Sequence, residues 1–393
     1  MDDREPAARA AVAEDVDWER AVHKVLAQTR GIVPDLAILF ASAAYAEHFP
    51  QLMRCAWSET GASTLIGCSA QGVIGSGREV EDAPAVALLT MALPGAVLQS
   101  VRFTQEMVET CTKPDDWRAG LDLDPDEVNA WLVLADPYRM DCMALIDGLA
   151  GAYAGRPMLG GLASAGPADE RTFVFLNGDV FDEGGVGLAI GGPYTILPLV
   201  SQGCEPIGQP WTITAAEGNV VETISNRPAY ELLVDTFRSL PPDVQRRAQG
   251  NLLVGLAADE YQDTFRRGSF LIRNLLGVDQ DTGALAIGAL PRVGQTIQFQ
   301  IRDAAAADED LRTLLDHACA WLGDNAPIAA VLCTCNGRGV GLFGVPDHDA
   351  ATIAERLGPL PLAGLFCNGE IGPIGERPFL HGFTASLALL IRT

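Results

Sequence analysis

Three stretches of this chain, LIGCSAQGVIG (65–75), MLGGLASAG (158–166) and LAGLFCNGEIG (362–372), each set a glycine inside an apolar strand, then a small polar residue and another glycine. Glycine weakens a strand unless a bulge or a close backbone approach requires it, so a single instance means little. Recurrence at the same place marks a structural repeat.

The flanking elements repeat as well. DLAILFAS (35–42), a helix over 43–57, the strand STLIGCSAQG (63–72) and the strand AVALLTMAL (85–93) read β-α-β-β. AWLVLADP (130–137), a helix over 140–154, RPMLGGLASAG (156–166), RTFVFLNG and GGVGLAIGG (184–192) repeat that order. IAAVLCTCNG (328–337), the helix DHDAATIAERLG, PLPLAGLFCNGEIGP and TASLALLIR (384–392) repeat it again. Strands joined through a helix run parallel with a right-handed crossover, whereas a strand reached through a turn runs antiparallel. The expected fold is therefore α/β (mixed α+β): repeated β-α-β-β modules with mixed parallel and antiparallel sheets flanked by helices.

A different pattern separates the second and third copies. A helix over 228–240 stops at Pro241 and Pro242, and the strand candidates NLLVGLAA, GSFLIRNLLGVDQDTGALAIGAL and QTIQFQIRD follow, with Asp281 to Gly283 as a hairpin turn. The helix AADEDLRTLLDHACAWLG then leads into the last module. A boundary at Ser225 to Pro228 divides the chain into 34–227 and 228–393. Residues 1–33 read as an N-terminal helical extension, built on an amphipathic segment with Trp18, Val22, Val25 and Leu26 on one face.

Composition excludes several functions. The 51 acidic against 27 basic residues give a net charge of −24, a field that repels phosphate backbones and anionic lipid, so no nucleic acid is expected as a partner. The start is acidic and lacks the basic and apolar regions of a secretory signal. The most apolar run, 83–98, is broken by Pro84, Pro94 and Gly95, so no membrane insertion is expected and the protein reads as cytoplasmic. Nine scattered cysteines form no disulfide framework. Cys333 and Cys335 form an isolated C-x-C, and the five histidines show no metal spacing, so neither metal nor cofactor is expected.

Gly339, Gly341 and Gly344 have dinucleotide-fingerprint spacing, but Val345, Pro346 and Asp347 intervene before the helix, so its N-terminus does not face a pyrophosphate. No P-loop occurs. Ser69 and Ser164 do not satisfy G-x-S-x-G and read as turn residues. Arg338 and Glu370 stand in glycine-rich loops at strand ends of one module, where such folds gather ligand groups; a salt bridge between them is the alternative reading. Arg273 is a charge within an apolar strand, and it faces either water or a pocket. His381 is the one histidine close in sequence to the CNGEIG loop.

The ordered set LAILFAS, TLIGCSAQGVIG, MLGGLASAG, SFLIRNLLGVDQDTGALAIG, VLCTCNGRG, PLAGLFCNGEIGP and FLHGFTAS resembles the FIST family (F-box and intracellular signal transduction proteins), from about Pro34 to the C-terminus. The resemblance implies a FIST N-terminal domain followed by a FIST C-terminal domain. It also implies a sensory module that binds a small ligand such as an amino acid. No output domain fits in 1–33, so the expectation is a stand-alone sensory protein signalling through a separate protein partner. The expected ligand-binding residues are Arg338, Glu370, Cys335, Cys367, Asn368, Arg273, Ser69, Ser164 and His381, with no catalytic residue. Arg338 or Arg273 would take a ligand carboxylate and Glu370 its ammonium. Two alternatives stand beside this reading: a cysteine-dependent acyl-transfer or redox enzyme using Cys367 or Cys335, and a structural or scaffolding protein.

Overall fold

The computed structural model describes residues 4–166 and 171–393; the first three residues of the N-terminal extension lie outside the described residues. The chain forms two compact units: 1–200 with 311–380 and 384–393, and 201–310 with 381–383.

The first unit holds the three modules. In each, a leading strand pairs in parallel with the second strand: Leu36–Ser42 with Thr64–Ala70, Ala130–Ala135 with Met158–Leu162, and Ala329–Cys335 with Leu362–Cys367. A returning strand lies antiparallel on the far side of each leading strand: Ala85–Ala92, Gly185–Gly191 and Thr384–Arg392. This is the mixed pairing expected from the connections. The leading strands are buried along nearly their whole length because both faces are covered.

One face of the three sheets meets in a common core that includes Ile38, Leu89, Leu132, Leu188, Val331 and Leu390. The other face of each sheet carries its own helices. Helices Trp18–Gln28 and Phe49–Thr60 cover the first, Pro114–Leu121 and Cys142–Ala152 the second, and His348–Leu357 with the end of Ala304–Leu322 the third.

Each module also lends a short hairpin to a neighbour. The first module's hairpin, Val73–Gly75 with Arg78–Val80, pairs with the second strand of the third. The second module's hairpin, Val174–Leu176 with Asp179–Phe181, pairs with the second strand of the first. The third module's strand Glu370–Ile374, followed by Arg377–His381, pairs with the second strand of the second. The exchange is cyclic, so no module completes its sheet alone.

The repeated glycines lie at these junctions. Gly67, Gly160 and Gly364 stand opposite Leu39, Val133 and Leu332 of the leading strands. On the other side they face Phe175, Ile371 and Ile74 of the incoming hairpins. A Cβ on them would lie 1.9, 1.8 and 2.3 Å from the carbonyl oxygens of Leu39, Val133 and Leu332. Close backbone approach is thus the reason for the glycine.

The N-terminal segment differs from expectation. Ala7–Glu14, which falls within the segment 1–33 expected as a helical extension, is a strand antiparallel to Ala85–Ala92. The sheet edge offers a ladder that outweighs alanine's weak strand preference. Helix Trp18–Gln28 follows as expected, burying Val22, Val25 and Leu26.

The second unit is a seven-stranded antiparallel sheet in which Cys204–Glu217 pairs with both Thr296–Arg302 and Val220–Ile224, closing the sheet on itself. Helices Ala229–Ser239 and Pro242–Ala248 contribute Leu232, Leu233 and Ala248 to its core. The Ser225–Pro228 boundary falls between two strands of this sheet, so sequence halves and compact units divide the chain differently.

Candidate functional site

Parallel strands gather ligand groups beyond their C-terminal ends, and in the first unit the ends of the three second strands are hydrogen-bonded together. Ser164 N donates to Ser69 O at 3.1 Å and Asn368 N to Leu162 O at 3.2 Å. The remaining junction is bridged by a side chain: Gln71 N donates to Ser164 Oγ at 2.7 Å, and that hydroxyl donates to Phe366 O. Ser69 Oγ donates to Ser164 O at 3.1 Å and accepts from Phe173 N at 3.0 Å. GCSAQG, GLASAG and CNGEIG therefore share one end of this unit. The hydroxyls of Ser69 and Ser164, both fully buried, are used in holding it together.

Arg338, 1% exposed, does not pair with Glu370. Its Nε and Nη2 donate to Asp349 Oδ2 and Oδ1 at 2.7 and 2.8 Å, and its guanidinium lies 5.2 Å from the centre of the Phe343 ring. Asp349, two residues into helix His348–Leu357, also accepts from Thr334 Oγ1 at 3.0 Å, and His348 Nδ1 lies 3.0 Å away. Arg338 holds the Asp349 carboxyl well below the usual carboxylate range despite its burial. The sequence reading missed Asp349. Its signal was a carboxylate on the apolar stripe of an amphipathic helix, beside Ala350 and Ile353.

Glu370, fully buried, accepts on Oε2 from Thr384 N at 3.0 Å and Thr384 Oγ1 at 2.7 Å, and on Oε1 from Cys367 Sγ at 3.4 Å. Burial raises its pKa to about 7 against those bonds. Burial, then Glu370, pushes the Cys367 thiol up, which is opposite to what a nucleophilic cysteine needs. Cys335 is half-buried at the end of the neighbouring strand.

Asn368 is exposed and joins a polar rim: its Oδ1 accepts from Asn336 Nδ2 at 2.7 Å and its Nδ2 donates to Tyr138 Oη at 3.2 Å. Arg273 and His381 belong to the second unit. Arg273 donates to Ile272 O at 2.8 Å from the strand Phe270–Asp279, and His381 is buried.

Beside Gln71 opens a cavity of about 430 Å³, with Ser42, Gln71, Glu81 and Asp82 among its walls. Ser42 Oγ accepts from Ala44 N at 3.4 Å, leaving its own proton to donate. Glu81 accepts from Val340 N at 2.9 Å; burial, with Asp82 and Asp347 adding like charge, raises its pKa. None of these four residues was picked out from sequence, because each is ordinary in its local context. By contrast, the small void of about 20 Å³ inside the common core has an almost wholly aliphatic lining and offers nothing to a polar ligand.

Two residues before Glu81, Glu79 is buried with Oε1 accepting from Ala350 N at 2.9 Å and Oε2 without a hydrogen-bond partner among the described residues. Burial and then Asp349 raise its pKa to about 8. Glu79 and Glu370 both sit above the ordinary value of 4.5, so the folded state holds protons that the unfolded state releases. Their contribution to stability is present below pH 4.5 and is lost as pH rises through about 7 and 8. Urea unfolding between pH 5 and 8 should show stability falling with pH, by up to about 1.4 kcal/mol per pH unit for each proton. The double variant Glu79→Gln, Glu370→Gln should flatten that slope; an unchanged slope would show that neither carboxyl is protonated in the fold.

The FIST N domain family model matches residues 35–227 and the FIST C domain model residues 229–373. An uncharacterized protein of Mycobacterium tuberculosis (strain H37Rv) is 38% identical over 379 residues, covering 95% of this chain and 97% of that one. An uncharacterized protein of Mycobacterium bovis is 37% identical over 386 residues, covering 98% and 96%. Among solved structures, the cyanuric acid hydrolase of A. caulinodans aligns over 99% of this chain and 100% of its own at 11% identity and a TM-score of 0.36, which lends this chain no chemistry.

Proposed function

This chain belongs to the FIST family through both its N and C domains, and from that premise we propose that it is a sensory protein that binds a small amino-acid-like metabolite. The observation that carries the reading is the cavity of about 430 Å³ at the gathered strand ends, whose walls hold two carboxylates, an amide and a hydroxyl. Glu81 and Asp82 receive the ligand's ammonium, which relieves the repulsion between them. The Gln71 amide and the Ser42 hydroxyl donate to its carboxylate. These roles replace those expected of Arg338 and Glu370, which are buried and bonded to Asp349 and Thr384 within the fold.

The protein acts in the cytoplasm and passes its signal to a separate protein partner. No helix among the described residues is long and apolar enough to cross a membrane.

A thermal-shift panel of amino acids and related metabolites tests the reading. At least one zwitterionic ligand should raise the melting temperature, and Asp82→Asn should weaken its binding by roughly tenfold, the scale of one exposed charge-assisted contact. Ligands lacking the ammonium should give no shift. A panel without a hit, or a hit indifferent to Asp82→Asn, overturns the proposal.

A further inference from the structure

We infer that helices Trp18–Gln28 and Phe49–Thr60 carry a binding site for one divalent transition-metal ion of the zinc class, held by His23, Cys55 and Glu59. The ligand atoms of these three side chains all lie within 4.8 Å of one another. His23 Nδ1 is 3.5 Å from Glu59 Oε1, and Cys55 Sγ is 3.7 Å from the same oxygen. A tetrahedral zinc with Zn–S of about 2.3 Å and Zn–N or Zn–O of about 2.0–2.1 Å separates its ligand atoms by about 3.3–3.6 Å. These two separations are within about 0.2 Å of what the ion imposes, and the third, Cys55 Sγ to the His23 ring nitrogen, is no more than 4.8 Å and would close on binding.

The donor set fits that ion class. One imidazole, one thiolate and one carboxylate suit zinc or cobalt, and three protein ligands leave a fourth position for water. A hard cation such as magnesium would refuse the sulfur.

The sequence spacing explains the arrangement and why it shows no motif. Cys55 and Glu59 stand four residues apart, one above the other on the same helix face. His23 comes from the other helix, brought alongside by the packing of Val22, Val25 and Leu26 with Leu52, Met53 and Ala56. Rigid elements held by a packed core are the preferred support for such a site. Arg30 lies 3.9 Å from Glu59 Oε2, which leaves Oε1 to face the other two ligands. Bound metal would staple the N-terminal helix to the first module.

The test is a titration of chelator-treated, full-length protein with Co²⁺, then Zn²⁺. One Co²⁺ per chain should bind with a thiolate-to-cobalt charge-transfer band in the near ultraviolet, and Zn²⁺ should abolish it. Cys55→Ser should remove the band, while Cys319→Ser, at another half-buried thiol, should leave it. His23→Ala and Glu59→Gln should each weaken binding by at least roughly tenfold, the minimum expected when support for a bound metal is removed. The site is refuted if wild-type protein gives no thiolate band, if Cys55→Ser keeps it, or if His23→Ala binds Co²⁺ as tightly as wild type.

Discussion

Replacing Asp349 with alanine should destabilise the protein by about 3–5 kcal/mol, the cost of leaving a buried charge without its partner. Arg338 is 1% exposed, and two of its donors end on Asp349. Its Nη1 has no hydrogen-bond partner among the described residues, so it cannot absorb the loss. The alanine variant also strips Thr334 Oγ1 of its acceptor, adding about 1 kcal/mol. Removing both charges together, as Arg338→Met with Asp349→Leu, should recover most of the loss, because a matched apolar pair avoids both desolvation costs. Urea unfolding of the wild type and the two variants decides it. A loss below about 1 kcal/mol for Asp349→Ala would mean that water reaches the guanidinium and that the network is not closed.

Gly160→Ala should be at least as damaging, at more than about 4 kcal/mol or outright failure to fold. The new methyl would sit 1.8 Å from Val133 O, and the backbone at φ +150° is strained for any L side chain. The obstacle is main chain on a leading strand that is buried and bonded on both sides, so a rotamer change cannot relieve it. Gly67→Ala meets Leu39 O at 1.9 Å and should behave the same way. Gly341→Ala, with nothing within 4 Å of the new atom, is the control and should be nearly neutral. Melting temperatures and soluble yield compare the three; a well-folded Gly160→Ala protein would show that the close approach does not specify the fold.

Those glycines explain why the modules could be read from sequence. A residue type excluded by a neighbouring carbonyl leaves the same mark in each copy, and the helix between the first two strands dictates their parallel pairing. The hairpin exchange left no comparable trace. VIG and REV are three-residue strands, too short for periodicity; they pair with each other, and VIG's other partner lies in the distant third module, as with Gly75 against Ala363. Ala7–Glu14 was hidden because alanine carries a helical signal that only the sheet edge overrides.

Legibility of the site divides along similar lines. Charged residues in glycine-rich loops drew attention to Arg338 and Glu370, and the strand ends that carry them do converge with those of Ser69, Ser164, Cys367 and Asn368. What stayed invisible was partner choice. Arg338 reaches past the short helix Val340–Phe343 to Asp349, and Glu370 past the hairpin of Glu370–Ile374 and Arg377–His381 to Thr384, geometries that sequence spacing does not define. The cavity residues Ser42, Gln71, Glu81 and Asp82 come from two strand ends and a connecting segment, and only the folded unit places them on one wall.

The most direct test of the ligand-binding proposal is hydrogen exchange of the full chain, with and without the metabolite giving the largest thermal shift. Binding at the gathered strand ends should slow exchange in peptides spanning 42–45, 70–72 and 81–85, the backbone that forms the cavity wall. Unchanged exchange in all three, with protection appearing only elsewhere in the chain, would contradict it.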